Sequence, residues 1–218
     1  MKSEKLATAI DKRRKREVWT WRILLCAAFF TLHSSLFISC SEDSEVEGDF
    51  DNWQKKNEVA LDQWASNSSY RKILTYTLNP TTTSSYTNLD YIYVEVLESG
   101  ITTESPLFTD SVLVAYRGRY IPTKSYPEGR VFDESYIDTF SWKTAGFVRS
   151  TSAGFIEGFS TALQNMHPGD HWRVHIPYGL AYGAGGTTSI LGYSNLTFDI
   201  ALLDYWHPGD YYPIFKSR

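Results

Sequence analysis

Residues 174–186 read Val-His-Ile-Pro-Tyr-Gly-Leu-Ala-Tyr-Gly-Ala-Gly-Gly. A strand-forming run that stops at Pro177 and then enters a glycine cluster cannot continue as regular structure, so a loop is predicted there. Tyr182 lies where this glycine-rich, flexible loop begins. Because binding residues are frequent on loops that a rigid scaffold positions, Tyr182 is predicted to form the rim of a pocket.

Short strand-like runs dominate the sequence around this loop. They are rich in β-branched and aromatic residues and span 91–97, 111–116, 173–176 and 196–203. One segment, 155–166, instead has apolar residues at helical spacing and ends at the breaker His167-Pro168-Gly169-Asp170. This pattern predicts an α+β fold, an antiparallel sheet wrapped around one short helix, with a groove where the helix start meets the sheet.

Residues 40–87 are predicted to form an extension that precedes this sheet. Apolar residues between Phe50 and Trp64 recur at loosely helical spacing, which predicts one short amphipathic helix. Residues 70–78 alternate like a strand, and turn-forming residues at 79–85 break the pattern. A domain boundary is therefore expected near residue 87.

Charge is distributed unevenly along the 218 residues, whose net charge is −4. Residues 1–39 contain 8 Lys and Arg against 3 Asp and Glu, which leaves 13 against 22 in the remainder. The remainder is therefore acidic, near −9. An acidic protein lacks the electrostatic footprint for a phosphate backbone, so nucleic acid is not expected as a partner.

The first 39 residues have the layout of a signal peptide. Basic residues at 12–16 precede an apolar run from Ile23 to Phe30, which continues weakly as far as Ile38. A retained anchor helix is the alternative, but the run falls short of the roughly 20 apolar residues that a spanning helix needs. Export is therefore the favoured interpretation.

Residues 36–40, Leu-Phe-Ile-Ser-Cys, resemble the lipobox of bacterial lipoproteins. The resemblance implies acylation of Cys40, and the acidic run at 41–47 is interpreted as a solvated tether. The alternative is an ordinary cleavage site, which would leave Cys40 as an unpaired thiol in an exported chain. The predicted location is the cell envelope, with a lipid anchor in the outer membrane and the domain periplasmic or surface-exposed.

Residues 88–206 contain six motifs whose order and spacing resemble those of FKBP-type peptidyl-prolyl cis/trans isomerases. The motifs are Val112-Leu113-Val114-Ala115-Tyr116-Arg117-Gly118, Val131-Phe132-Asp133-Glu134-Ser135, Phe155-Ile156-Glu157-Gly158-Phe159, Met166-His167-Pro168-Gly169-Asp170, Ile176-Pro177-Tyr178-Gly179-Leu180-Ala181-Tyr182-Gly183 and Leu196-Thr197-Phe198. The resemblance implies an FKBP-like isomerase domain at 88–206 and leaves 207–218 as a C-terminal tail.

The resemblance also implies a pocket for a prolyl ring that works without metal or cofactor. The residues implied to be catalytic are Tyr116, Phe132, Asp133 and Tyr182, and those implied to bind substrate are Phe140, Trp142, Phe155, Ile156, Phe159, Ile190 and Phe198. The Ile156 N–H and the Tyr182 hydroxyl would bind substrate carbonyls, and Asp133 would form a hydrogen bond within the wall. The implied partners are proline-containing unfolded or partly folded polypeptides and FK506-like macrolides.

Three departures from the family pattern leave alternatives open. Phe159 stands where active members usually have Trp, the family's Pro-Pro after the loop is Leu191-Gly192, and an insertion runs through 120–129. The main hypothesis is an isomerase that assists the folding of exported proteins. The alternatives are an FKBP-like chaperone or peptide-binding module with weak or no turnover, and a tethered partner of an envelope complex that uses the insertion as its contact surface.

Three histidines recur at every fourth position, at His167, His171 and His175. On a helix this spacing would suggest a metal face, but Pro168-Gly169 prevents a helix there. On a strand, Arg173 would lie between two of them on the same face, and a cation does not suit a metal shell. The sequence therefore predicts solvent-facing histidines and no metal site.

Overall fold

The computed structural model describes residues 48–81 and 85–211. The predicted signal peptide, Cys40 and the acidic tether lie outside the described residues, as does most of the predicted C-terminal tail. None of the helices within the described ranges is long and apolar enough to span a membrane.

Within the described residues, seven strands form one antiparallel sheet, and two α-helices accompany it. In chain order the elements are α1 (Trp53–Ser66), β1 (Arg71–Leu74), β2 (Tyr91–Glu98), β3 (Ser111–Tyr120), β4 (Val131–Glu134), β5 (Val148–Thr151), α2 (Glu157–Leu163), β6 (His171–Ile176) and β7 (Leu196–Trp206). The spatial order is β1-β2-β6-β7-β3-β4, and β5 pairs with the first half of β3. Each pairing is antiparallel, as the alternating sequence pattern predicted.

The inner face of the sheet carries the main core because side chains alternate between the two faces of a strand. Even-numbered positions of β3, β6 and β7 point inward, and most of them are buried. The most deeply buried members are Ile92, Val94, Val112, Val114, Ala162, Leu163, Met166, Val174, Ile176, Leu196, Ile200 and Leu202.

Helix α2 is shorter than the predicted 155–166 segment and lies very close to the sheet. A β-carbon at Gly158 would collide with the Ile176 side chain, so the glycine permits this approach. Glu157 lies in the first turn, where a carboxylate is favoured by the helix dipole, and it accepts hydrogen bonds from the Thr75 and Thr77 hydroxyls at 2.6 Å each. The chain after β1 is thereby attached to the start of α2.

The N-terminal extension packs onto the sheet domain. Strand β1 pairs with β2 over four residues, so the sheet begins before residue 87. At the end of α1, the Trp64 ring stacks on His175 with centroids 4.7 Å apart. Gly48 and the described residues after it belong to one compact unit, and the packing shows no break at residue 87.

The outer face of the sheet is covered near β6, so the prediction of solvent-facing histidines is wrong for His171 and His175. These side chains are buried, because α1 covers His175 and the chain after β4 covers His171. Burial and the nearby Arg173 charge lower the pKa of His175 to about 4. Arg173 lies between the two histidines on β6, and its guanidinium group forms an ion pair with Asp199. Arg119 pairs with the same carboxylate.

Candidate active site

Five aromatic rings converge on the inner face, four from β3, β4, α2 and β7 and one, Phe155, from the segment just before α2. Tyr116 on β3 lies 5.9 Å from Phe159 on α2 and 6.3 Å from Phe198 on β7, measured between ring centroids. Phe155 stacks on Phe159 at 4.3 Å, and Phe132 meets Phe198 edge-on at 5.6 Å. Phe159 is 1% exposed and forms the floor of the resulting aromatic hollow, while Tyr116, Phe132 and Phe155 are partly exposed at its walls.

A register shift directs two neighbouring side chains of β4 toward this hollow. Asp133 pairs with Gly118 and Val131 pairs with Arg119, so Phe132 is an extra residue between the two pairs. A bulge of this kind re-aims a side chain that strict alternation would send to the opposite face. Phe132 reaches the rings and Asp133 reaches Tyr116 from the same short strand.

Gly118 is a site residue that the sequence prediction did not include. A β-carbon there would lie 2.6 Å from Phe132 Cζ and 2.7 Å from Phe198 Cε1. Only glycine lets both rings rest directly on strand β3. A glycine within a strand-like run indicates a bulge or a close approach, so the sequence did contain this signal.

A hydrogen bond joins the two polar side chains of the wall. Tyr116 Oη donates to Asp133 Oδ2 at 2.8 Å. Burial, together with this hydrogen bond and the Asp133 charge, raises the pKa of Tyr116 to about 12. The phenol is therefore neutral at physiological pH and is the donor in its hydrogen bond to the Asp133 carboxylate.

Tyr182 lies at the rim with 38% of its surface exposed. Burial of its hydroxyl and the Asp133 charge raise the pKa of Tyr182, so this hydroxyl also remains a neutral donor. Ile156 occupies the N-cap position of α2. Backbone N–H groups at a helix start have no intrahelical acceptor, so this position provides a donor at the edge of the hollow.

The rim loop, residues 183–192, is held by hydrogen bonds along its length. Thr187 N donates to Ile190 O at 2.8 Å, and Tyr193 N donates to Gly183 O at 3.1 Å. Gly183 and Gly186 have positive φ angles of 70° and 64°, which explains the glycines in this sequence. Ile190 is buried in the main core, and its contact with substrate remains a prediction.

Phe140 and Trp142 do not lie in the aromatic hollow, and their predicted role in binding substrate is corrected. The Phe140 ring lies 5.4 Å from the Tyr136 ring and 4.3 Å from the outer-face His171 ring, measured between centroids. Trp142 Nε1 donates a hydrogen bond to Glu98 Oε2 at 2.8 Å. Both pack with Tyr136 in a second cluster that contains Ala115 and Ala201. The chain between β4 and β5 crosses to the outer face, and sequence alone did not determine that side.

A separate cleft of about 550 Å³ is lined by none of the residues of the aromatic hollow. It is lined by residues 101–104 and by Pro168, Asp204, Tyr205 and His207. Its lining is mostly polar or acidic, which does not suit a prolyl ring. Within residues 48–81 and 85–211, no group of three or more His, Cys, Asp or Glu side chains is arranged to hold a metal ion.

Comparison with known proteins identifies relatives of this domain. Residues 102–203 match the family described as FKBP-type peptidyl-prolyl cis-trans isomerase. The chain is 34% identical over 152 residues to the FKBP-type peptidyl-prolyl cis-trans isomerase FkpA of Escherichia coli K12, covering 69% of this chain and 49% of FkpA. It is 35% identical over 102 residues to the peptidyl-prolyl cis-trans isomerase Mip of Coxiella burnetii, covering 45% of this chain and 37% of Mip. The chain thus spans about half the length of FkpA and less of Mip.

A solved structure shares the architecture. A peptidyl-prolyl cis-trans isomerase from Pseudomonas syringae pv. tomato superposes with a TM-score of 0.53 at 24% identity, covering 73% of this chain and 98% of that one. The likeness confirms the predicted fold, an FKBP-like antiparallel sheet around one short helix with an N-terminal helical extension.

Proposed function

The chain carries a domain of the FKBP-type peptidyl-prolyl cis-trans isomerase family, and we propose that it catalyses cis/trans isomerisation of X-Pro bonds in polypeptides. The observation that carries the proposal is the aromatic hollow itself. Tyr116, Phe132, Phe155, Phe159 and Phe198 face one another, with a glycine beneath two of them and the neutral donor Tyr182 at the rim.

The proposed chemistry requires no nucleophile. The C–N bond rotates slowly because resonance gives it partial double-bond character, with a barrier of about 18–20 kcal/mol for ordinary peptide bonds. Water stabilises the planar, charge-separated amide more than the twisted one. A dry apolar hollow that holds the prolyl ring therefore lowers the free energy of the twisted amide relative to the planar amide.

Three groups are proposed to orient the substrate. The Ile156 N–H and the Tyr182 hydroxyl donate to substrate carbonyls on the two sides of the rotating bond. Asp133 accepts a hydrogen bond from the Tyr116 hydroxyl and thereby fixes the orientation of that ring at the side of the hollow. Positioning of this kind lowers the barrier because the reacting conformation is already ordered when the substrate binds.

Assays of a proline-containing peptide with the full chain test the proposal, using two matched Phe→Ala variants. Phe132→Ala removes a wall ring, and kcat/KM is expected to fall about tenfold or more, in line with the transition-state binding that one ring contributes. Phe140→Ala removes a ring from the outer-face cluster, so its kcat/KM is expected to stay within about twofold of wild type even where its melting temperature falls. Equal losses in the two variants would contradict a pocket at the aromatic hollow.

A binding module with weak turnover is the second candidate, and the floor of the hollow favours it. Phe159 is narrower than the tryptophan usual in active members and has no indole N–H. In that case the wild type binds unfolded chains or an FK506-like macrolide, while the isomerisation rate of the peptide with the protein present rises little or not at all above the rate in buffer. The same peptide assay, combined with a binding measurement, separates the two candidates.

We further propose that the domain acts on exported proteins from a lipid anchor at Cys40 in the cell envelope. The lipobox-like run and the basic, apolar segment before it support this location. Labelled palmitate is expected to enter the wild type and a Cys26→Ala variant but not Cys40→Ala. Equal labelling of Cys40→Ala and wild type would remove the anchor from the proposal.

A further inference from the structure

Helix α1 contacts the segment that follows the rim loop, and these contacts are buried and specific. Trp53 Nε1 donates to Ser194 Oγ at 2.8 Å, and Ser194 Oγ donates to Leu191 O at 2.7 Å. One turn further along the helix, Asn57 Oδ1 accepts from Asn195 N at 2.8 Å, and Asn57 O accepts from Asn195 Nδ2 at 2.6 Å. Asn57 is 1% exposed. Buried polar pairs of this kind strongly favour one arrangement, because each unpaired group would remain desolvated.

Asn195 extends the same contact to the start of the loop. Its Oδ1 accepts from Tyr178 N at 2.9 Å, and Tyr178 O accepts from Gly183 N at 2.8 Å. The chain between these two residues carries Tyr182. Asn57 is therefore linked through Asn195 to both ends of the rim loop.

Tyr120 links helix α1 to the wall of the hollow. Its ring lies 5.7 Å from Trp53 and 5.4 Å from Phe132. Its hydroxyl donates to Ser189 O at 3.0 Å and accepts from Leu191 N at 3.4 Å. Tyr120 thus contacts the helix, a wall ring and the rim loop at the same time.

We propose that Trp53 and Asn57 are positioning residues for the proline site, which hold the rim loop and the Tyr120–Phe132 wall in the conformation that receives a prolyl ring. This inference rests on the proposed function and extends it to an element outside residues 102–203. Without these contacts, part of the substrate's binding free energy would be used to order the loop. Loss of the contacts is therefore expected to raise KM more than it lowers kcat.

The sharpest test compares two Trp→Phe variants of the full chain on the same helix. Trp53 and Trp64 are both 8% exposed, but Trp64 stacks on His175 and has no described contact with the rim loop. Trp53→Phe keeps a ring and loses the donor to Ser194, so KM for a proline-containing peptide is expected to rise about fivefold with kcat within twofold. Trp64→Phe is expected to lower the melting temperature while KM stays within about twofold. Asn57→Ala should raise KM in the same direction as Trp53→Phe.

Amide hydrogen exchange gives a readout that does not depend on catalysis. The Thr187 and Ile190 amides donate hydrogen bonds within the rim loop, and the Tyr193 amide donates to Gly183 O at its start. These three amides are expected to exchange about tenfold faster in Trp53→Phe than in Trp64→Phe. Equal KM values and equal exchange in the two variants would overturn the inference. A wild type without isomerase activity would instead refute the proposed function, and the exchange comparison alone would then decide whether α1 positions the loop.

Discussion

Gly118 sets how closely two rings approach strand β3. Gly118→Ala would place a carbon at 2.6–2.7 Å from Phe132 and Phe198, so both rings must move and the hollow loses its shape. We expect kcat/KM to fall about tenfold, because small displacements of positioning groups have large effects on rate. Gly179→Ala is the matched control, since its nearest neighbour would be Leu89 Cβ at 3.9 Å, an ordinary contact. A Gly118→Ala enzyme as active as Gly179→Ala would contradict this role.

Of the residues that the family resemblance implied for a pocket, five rings meet in the hollow, and the two that lie elsewhere do so for a physical reason. Tyr116 and Phe198 lie on long strands, where alternation fixes the face on which a side chain lies. Phe140 and Trp142 lie between strands, where no period specifies a side, and they pack on the outer face. Gly118 was overlooked although a glycine inside a strand pattern is informative.

Helix α1 makes the stability of the protein depend on the charge of His175. The ring lies between Trp64 and Tyr70, at centroid distances of 4.7 and 4.8 Å, and its Nδ1 contacts Thr197 Oγ1 at 2.9 Å. Burial lowers its pKa from 6.5 to about 4, so the folded state favours the neutral ring. The stabilisation is therefore complete above pH 6.5 and is lost as the pH falls from 6.5 toward 4. Its size is on the order of 3 kcal/mol at most.

Denaturant unfolding at pH 7, 5.5 and 4.5 measures this contribution. We expect the free energy of unfolding of the wild type to fall with pH more steeply than that of His175→Gln, in which only the carboxylates and the other histidines still titrate. Parallel pH profiles for the two proteins would show that the packing of α1 on His175 does not depend on its charge.

Long elements were predicted better than short ones. Strands β2, β3, β6 and β7 and helix α2 follow the sequence pattern, although their ends differ by several residues. Strands β4 and β5 span four residues each and have exposed positions, so they carry almost no alternation that could identify them. Their places in the sheet depend on pairing with β3, which is a tertiary effect.

At the scale of the whole molecule, the described residues of the predicted extension, 40–87, are closely joined to the sheet. The sequence suggested an extension there because a polar break lies near its end. Residues 48–81 pair with the sheet and pack against its core, and these contacts join positions up to 141 residues apart. Long-range packing of this kind leaves no local signal that a single sequence could reveal.

The central claim is that a prolyl ring binds in the aromatic hollow, and NMR titration of the wild type with a proline-containing peptide tests it most directly. We expect the largest shifts at Phe132, Phe155, Ile156, Tyr182 and Phe198, and exchange between the cis and trans peptide signals that is faster than without protein. Shifts confined to the cleft lined by residues 101–104 and His207, with the aromatic hollow unaffected, would contradict the account.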